Sequence, residues 1–300
     1  RYFIACVEQK TMHAAAAAVH VSQPALSKAI HNLEEELGVT LLDRRPRGVA
    51  PTRFGETLFR YAKMIDSDVR RAEAEIQAMR GLTRGTIVVG VIPTMTHVMA
   101  EVARQVLDSL PGLRLKLKIG FSAELTAALL EGELDTALLL LPAETGPIGL
   151  SFEPLVQTGP TVAVRNGHPL AGRRDLSLVE LAEYPWIMPD YPPAHRESVN
   201  RAFLDAGGPP PQSAMDVSTV ILFDSLLQGT DMITVAPATL LSARPSGLVP
   251  LDVDFAFPPE RVGLAYRQNT TLLPGARAVM KLVRAQCAGL PGFVGELTSV

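Results

Sequence analysis

Between Leu58 and Met79 the apolar residues of this chain fall at Leu58, Ala62, Ile65, Val69, Ala72, Ile76 and Met79, spaced alternately by four and by three without a slip. That period makes a long α-helix with a narrow apolar seam that needs a partner along its length. Arg60, Lys63, Asp66, Asp68, Arg70, Arg71, Glu73 and Glu75 line the remaining faces and keep them in water. At 1.5 Å rise per residue such a helix spans about 33 Å. Thr52 is placed to cap its start, and Gly81, Thr83 and Gly85 end it. The segment before the helix offers little core to cover, so the expected partner is the same helix of a second copy. Packing against its own head is the alternative. A chain built around such a rod carries separate units at its two ends.

Charge divides at the same place. The net −3 of the 300 residues resolves into +3 for residues 1–84 and −6 for the remainder. A basic head on an acidic body suits nucleic-acid binding at one end and a small ligand at the other. With 47% hydrophobic and 20% charged residues the chain has enough apolar content for sizeable cores, which excludes disorder and collagen-like repeats. Cys6 and Cys287 show no metal or redox spacing and are expected to be buried, reduced thiols. The longest mostly apolar stretch, Thr136 to Ala143, is well short of the roughly 20 residues that cross a bilayer. With no basic-then-apolar leader in view, the expected location is cytoplasmic, with no membrane partner.

In the head, Tyr2 to His20 is rich in helix formers and suits two short helices, with Ala14 to Ala18 allowing a close helix crossing. A third helix follows. Ser22 is a good N-cap, Pro24 suits the first turn, and Gly38 is the expected stop. Leu26, Ile30, Leu33 and Leu37 form its buried stripe, while Pro24, Ser27, Lys28, His31 and Glu35 face outward. Short polar and cationic side chains on the second helix of such a pair are what a major groove admits. An ordinary amphipathic surface helix is the other reading. Val39 to Thr52 then reads as two short strands around Arg44, Arg45, Pro46, Arg47 and Gly48, an arginine-tipped turn suited to phosphate or minor-groove contact.

The stretch AAAAAVHVSQPALSKAIHNLEEELGVTLLDRRPRGVAPTRFG resembles the winged helix-turn-helix of the LysR-type transcriptional regulators, through its SQPALS, LE..LG and R..RGV..T..G elements. Leu42-Asp43 departs from the family, which often has phenylalanine after leucine there. The chain begins at Arg1 rather than Met, so a few residues of the first helix are expected to precede it. The resemblance implies Ser22, Gln23, Pro24, Ser27, Lys28, His31, Arg44, Arg45 and Arg47 as DNA contacts. It also implies that the 58–79 helix is the dimerising linker.

After the linker, strands and helices alternate. Residues 86–92 read as a buried strand, a helix opens at Pro93 to Thr96, Leu113 to Ile119 alternates strictly, and Asp135 to Leu141 is a central strand. The alternation continues to Ala288 and predicts mostly parallel sheets flanked by helices. The element order resembles the family's effector domain, two α/β lobes of the periplasmic-binding-protein type. Gly167-His168-Pro169-Leu170 is its clearest local element, and the crossovers are expected near Thr158 to Pro160 and Val262 to Ala265. The expected domains are a winged helix-turn-helix over 1–53, a linker helix and hinge over 54–84, and an effector domain over 85–300. In the last, lobe I comprises 85–158 and 266–300, and lobe II 159–265.

Ligands of such sheets sit at strand C-termini, beside helix starts. This places Thr94, Met95, Thr96 and Pro142 on one lobe and Tyr191, Pro193, His195, Arg196, Ser218 and Thr219 on the other as effector contacts. Each Ser or Thr is also a plausible plain helix cap. No GxSxG, HExxH, P-loop or GxGxxG occurs, and the six histidines form no i,i+4 pair, so neither catalysis nor a metal or other cofactor is expected. The resulting expectation is a regulator that binds double-stranded promoter DNA and a small polar or anionic effector, as a homodimer or homotetramer, with RNA polymerase as a further partner. A solute-binding protein or small-molecule enzyme on the same two-lobed fold is the rival.

Overall fold

The computed structural model describes the chain except residues 46–47, 80–84, 143–145, 190–192, 218–221, 243–246, 256, 269 and 296–300; the side chains of Arg44, Ala74, Ala78, Met79, Pro189, Pro193, Ala194, His195, Asp224 and Ser242 also lie outside the description. Two compact units result, Arg1–Leu82 with Leu130–Glu133, and Thr83–Leu129 with Leu134–Val300.

The first unit contains α1 (Tyr2–Gln9), α2 (Met12–Ala18), α3 (Gln23–Leu37), β1 (Leu42–Arg45), β2 (Gly48–Pro51) and α4 (Arg53–Met79). Local chemistry sets the boundaries. The Thr11 hydroxyl accepts from the Ala14 N–H at the start of α2, the Ser22 hydroxyl from the Ala25 N–H at the start of α3, and Gly38, at φ 67°, ends α3. Ala15 and Ala16 are buried, which is the close helix approach expected of the alanine run. They join Phe3, Cys6, Leu26, Ile30, Leu41 and Leu42 in one core. Leu33 only partly covers that core, and Leu37 is 48% exposed. The expected four-residue stripe is therefore shorter, because the last turn of α3 extends past the core. β1 and β2 pair antiparallel from Leu42↔Pro51 to Arg45↔Gly48.

The seam of α4 is divided between two environments. Leu58, with neighbouring Phe59, packs on the head's own core, and Lys63 reaches Glu8 of α1 at 2.7 Å. Farther along, Ile65, Val69 and Ile76 are 63%, 42% and 57% exposed. The first part of the seam thus packs on the head, and the rest is uncovered within the single chain.

The second unit runs β3 (Gly85–Val91), a 3-10 turn (Pro93–Met95), α5 (Thr96–Ser109), β4 (Leu113–Ile119), α6 (Ser122–Leu130), β5 (Thr136–Leu140), β6 (Leu150–Thr158), β7 (Pro160–Arg165), α7 (Leu178–Leu181), β8 (Trp186–Pro189), α8 (Pro193–Asp205), β9 (Ser213–Val217), α9 (Phe223–Leu227), β10 (Ile233–Pro237), α10 (Ala238–Ser242), β11 (Leu248–Pro250), β12 (Glu260–Arg267) and α11 (Pro274–Cys287). Two sheets divide these into lobes, ordered β4-β3-β5-β12-β6 in lobe I and β11-β7-β10-β8-β9 in lobe II. In lobe II, Trp186 is fully buried edge-on to Phe203 at 5.5 Å, and its indole N–H donates to the Leu181 carbonyl.

Three expectations are corrected here. The sheets are mixed: β3, β4 and β5 run parallel, as do β8, β9 and β10, but β12 is antiparallel to both neighbours and β7 to both of its own. The second crossover is not at Val262 to Ala265. β12 pairs with β6 along its whole length from Glu260↔Thr158 to Arg267↔Leu150, so the chain has returned to lobe I by Glu260 and the lobe boundary expected at 265 falls inside a strand. Finally, Pro93 to Met95 is a separate 3-10 turn, and α5 begins only at Thr96.

Candidate nucleic-acid interface and effector cleft

On α3, Leu26 and Ile30 are buried, which turns the opposite side of the helix outward. Gln23, Pro24, Lys28 and His31 are exposed there, and Ser27 is half-buried among them. Spacings of three and four put Pro24, Ser27, Lys28 and His31 on one face. Ser22, also exposed, uses its hydroxyl as the helix cap, accepting from the Ala25 N–H at 3.3 Å, and retains its own O–H to donate. The His31 Nε2 lies 3.4 Å from Glu35 Oε1, both side chains two-thirds exposed. At the hairpin Arg45 is exposed. Arg47 and the side chain of Arg44 lie outside the described residues.

The expected dimerisation residues fall on α4. Leu58 and Ala62 are half-buried, whereas Ile65, Val69, Ala72 and Ile76 are exposed; the Met79 side chain lies outside the described residues. Phe54 and Tyr61, each 60% exposed, extend the apolar face beyond the seven expected positions. The signal was in the spacing: Phe54 precedes Leu58 by four, and Tyr61 precedes Ile65 by four.

In the second unit the C-terminal ends of β3 and β5 in lobe I and of β8, β9 and β10 in lobe II carry the candidate effector residues. The Pro93–Met95 turn touches α10, so these two edges meet. Thr94 is half-buried on that turn. Met95, which follows it, is fully buried. Thr96 is half-buried, and its hydroxyl donates to the Pro93 carbonyl at 2.9 Å, fastening the turn to α5. Neither threonine caps α5, whose N-cap is Met95 without a side-chain bond. Pro142 accepts from the Arg261 guanidinium through its carbonyl at 3.1 Å, tying the β5 exit to β12.

Across the cleft Arg196 pairs with Asp216, to which the Ser213 hydroxyl also donates at 2.6 Å. The Ser213 bond, the largest effect, holds the Asp216 carboxyl below its ordinary range against burial, which raises it, and the Arg196 charge and hydrogen bond add to the lowering. Arg196 thus pairs with a carboxylate of its own lobe, both side chains partly exposed. Tyr191, Ser218 and Thr219, and the side chains of Pro193 and His195, lie outside the described residues. Sequence reading missed α10, whose first residues Ala238 and Thr239 follow β10 at the cleft edge. Its five residues are too few for a periodic signal.

Among the described residues no three His, Cys, Asp or Glu side chains gather as a metal site, and no helix is long and apolar enough to cross a membrane. Cys6 and Cys287 are free and buried, and burial pushes the Cys287 thiol up to about 12.

Comparison with known proteins agrees with this geometry in both units. Residues 1–56 match the model of the bacterial regulatory helix-turn-helix protein, lysR family, and residues 80–288 that of the LysR substrate binding domain. The HTH-type transcriptional regulator GbpR of Azospirillum brasilense is 28% identical over 290 residues, 94% of this chain and 84% of that protein. A full-length OxyR variant from Pseudomonas aeruginosa has a similar fold, with a TM-score of 0.70 at 19% identity, over 98% of this chain and 96% of that one. Full-length CbnR in complex with its target DNA superposes with a TM-score of 0.64 at 22% identity, over 95% and 97%.

Proposed function

Since the chain belongs to the LysR-type transcriptional regulators, we propose that it reads promoter DNA through the exposed face of α3 and the β1–β2 hairpin. The observation that carries this assignment is the outward row of Gln23, Pro24, Lys28 and His31 over buried Leu26 and Ile30. Side chains of this size and polarity reach base edges in a major groove, and Arg45 supplies a cation for the backbone or the flanking minor groove. His31 exchanges its Glu35 partner for DNA. The exposed run Ile65, Val69 and Ile76 favours pairing of α4 with its copy in a homodimer, which places two heads on one operator. Homotetramer formation and contact with RNA polymerase extend the same reading.

The effector is held between the lobes, at the edges that meet where the Pro93–Met95 turn touches α10. Thr94 and the start of α10 are its described walls. Helix starts there favour a small polar or anionic ligand. With Arg196 occupied by Asp216, backbone N–H groups and hydroxyls carry the recognition. The effector acts only as far as it prefers one lobe arrangement over another. The protein is a regulator rather than an enzyme, and it works in the cytoplasm, where its DNA is. A solute-binding protein would have no use for the helix-turn-helix of residues 1–56, which disfavours that rival.

The test is a mobility shift with full-length protein on the DNA flanking its own gene, with and without small carboxylates. Binding that is sequence-specific, falls with salt and changes with one of those compounds is expected. Equal affinity for unrelated DNA would reject the assignment.

A further inference from the structure

Glu34, three residues after His31, lies on the flank of α3 between the exposed row and the buried stripe, and is not among the DNA contacts of the reading above. Its half-buried carboxylate does something else: one oxygen, Oε1, accepts from the Leu41 N–H at 2.7 Å and from the Leu42 N–H at 3.1 Å. Leu41 and Leu42 are themselves buried in the head core, at 1% and 7% exposure. The other side of the same peptide segment is held from the start of α4. The Thr52 N–H donates to the Leu41 carbonyl at 2.9 Å, and the Thr52 hydroxyl donates to the Thr40 carbonyl at 2.7 Å while accepting from the Gly55 N–H at 3.1 Å. Gly55 closes the clamp, because a β-carbon there would lie 2.1 Å from the Leu41 carbonyl oxygen.

We propose that Glu34 is the positioning residue that locks the hairpin and the first turn of α4 to the recognition helix, so that the three DNA-facing parts of the head move as one body. Every bond in the chain α3, Glu34, residues 40–42, Thr52, α4 is either to backbone or to the Thr52 hydroxyl, which is used in both directions. A charged acceptor shared by two backbone donors is the strongest link of this chain. The consequence for regulation is direct. A rotation of α4 imposed from the effector domain reaches α3 undiminished, and bending has to occur elsewhere than at the head-to-rod joint. Glu34 acts through the hairpin and is not a DNA contact.

The experiment compares full-length wild type with Glu34→Gln and Glu34→Ala, by hydrogen exchange of backbone amides and by mobility shift on the promoter fragment. Glutamine keeps an oxygen able to accept both N–H groups, so it should retain slow exchange over residues 39–45 and affinity within about threefold. Alanine should speed exchange there and over 48–52, leave residues 23–30 as slow as in wild type, and weaken DNA binding by about tenfold. The proposal is overturned if alanine leaves exchange at Leu41 and Leu42 unchanged, if glutamine behaves like alanine, or if alanine loosens 23–30 equally, which would make Glu34 a general core support. Because the loss of affinity rests on the hairpin touching DNA, Arg45→Ala is measured alongside. If that variant binds normally while Glu34→Ala loosens the hairpin, the hairpin contact fails and the lock stands.

Discussion

Lys10 and Gly48 meet backbone to backbone: the Lys10 carbonyl accepts the Val49 N–H at 2.8 Å, and a β-carbon on Gly48 would sit 2.1 Å from that same oxygen. Gly48 also has φ 135°, a conformation that L side chains rarely adopt. Gly48→Ala should therefore push the hairpin off the α1–α2 turn, at a cost of about 1 to 3 kcal/mol. Thermal unfolding should show the loss, and promoter affinity should fall with it. An alanine variant with wild-type unfolding and affinity would mean that the turn yields without penalty.

The two parts of the DNA interface should respond differently to mutation. Replacing His31 with Ala should relax base preference and cost about 1 to 3 kcal/mol if its ring reaches a base edge. Replacing Arg45 should weaken all sequences alike and lower the slope of log affinity against log salt by about one. Filter binding at several salt concentrations, on the promoter fragment and on a scrambled one, separates these outcomes.

Ile65→Asp or Val69→Asp would bury an unpaired charge if α4 pairs with its copy, and should shift the protein toward monomer. Both positions are exposed in the single chain, so the fold of the head should survive. Sedimentation equilibrium reads the mass, and the unchanged Tm expected of each variant reads the fold. A fully dimeric variant would place the interface elsewhere.

In the cleft, Thr94→Val should reduce effector affinity more than Thr96→Val, because the Thr96 hydroxyl already donates to Pro93. Asp216→Asn should release Arg196 and tighten binding of an anion. Acid should act in a related way. The Asp216 carboxyl is held below its unfolded value, so its favourable pairing is present above about pH 4 and is lost as pH falls through the depressed value. The group is half exposed, so the effect on stability should be small. Calorimetry with the full chain, once mobility shifts have identified an effector, tests all three.

Neither thiol should react in the folded protein. Cys6 and Cys287 are both fully shielded, and burial raises the pKa of each. A thiol reagent at pH 8 should label both only after denaturation; fast labelling of either native thiol would contradict the packing.

What the sequence disclosed depended on period and on caps. Ser22, Gly38 and Thr52 bound their helices as expected because a cap is a local hydrogen bond between near neighbours. The crossover near Thr158 followed from the family resemblance in element order, whereas the return at Glu260 did not. Residues 260–267 carry the pattern of a buried strand, and that pattern does not name the sheet to which a strand belongs. The antiparallel direction of β12 escaped for the same reason. In the cleft the sequence located the Pro93 to Thr96 segment but not its chemistry. Whether Met95 points inward, or whether a threonine hydroxyl is already bonded, depends on a 3-10 turn that no periodicity marks. Glu34 was visible only as a letter of a family motif, since its partners Leu41 and Leu42 lie beyond the helix that carries it.

The pairing of Thr158 with Glu260 means that the strands leaving and re-entering lobe I are neighbours at the point of crossing, about 5 Å apart as in any antiparallel pair. In terms of connectivity, lobe II is then an insertion into one loop of lobe I. A short turn joining Thr158 to Glu260 would restore an ordinary hairpin between β6 and β12 and leave the five-stranded sheet uncut. The sheet of lobe I is therefore continuous across the point where lobe II enters and leaves, and nothing in its strand pairing depends on what the inserted segment contains.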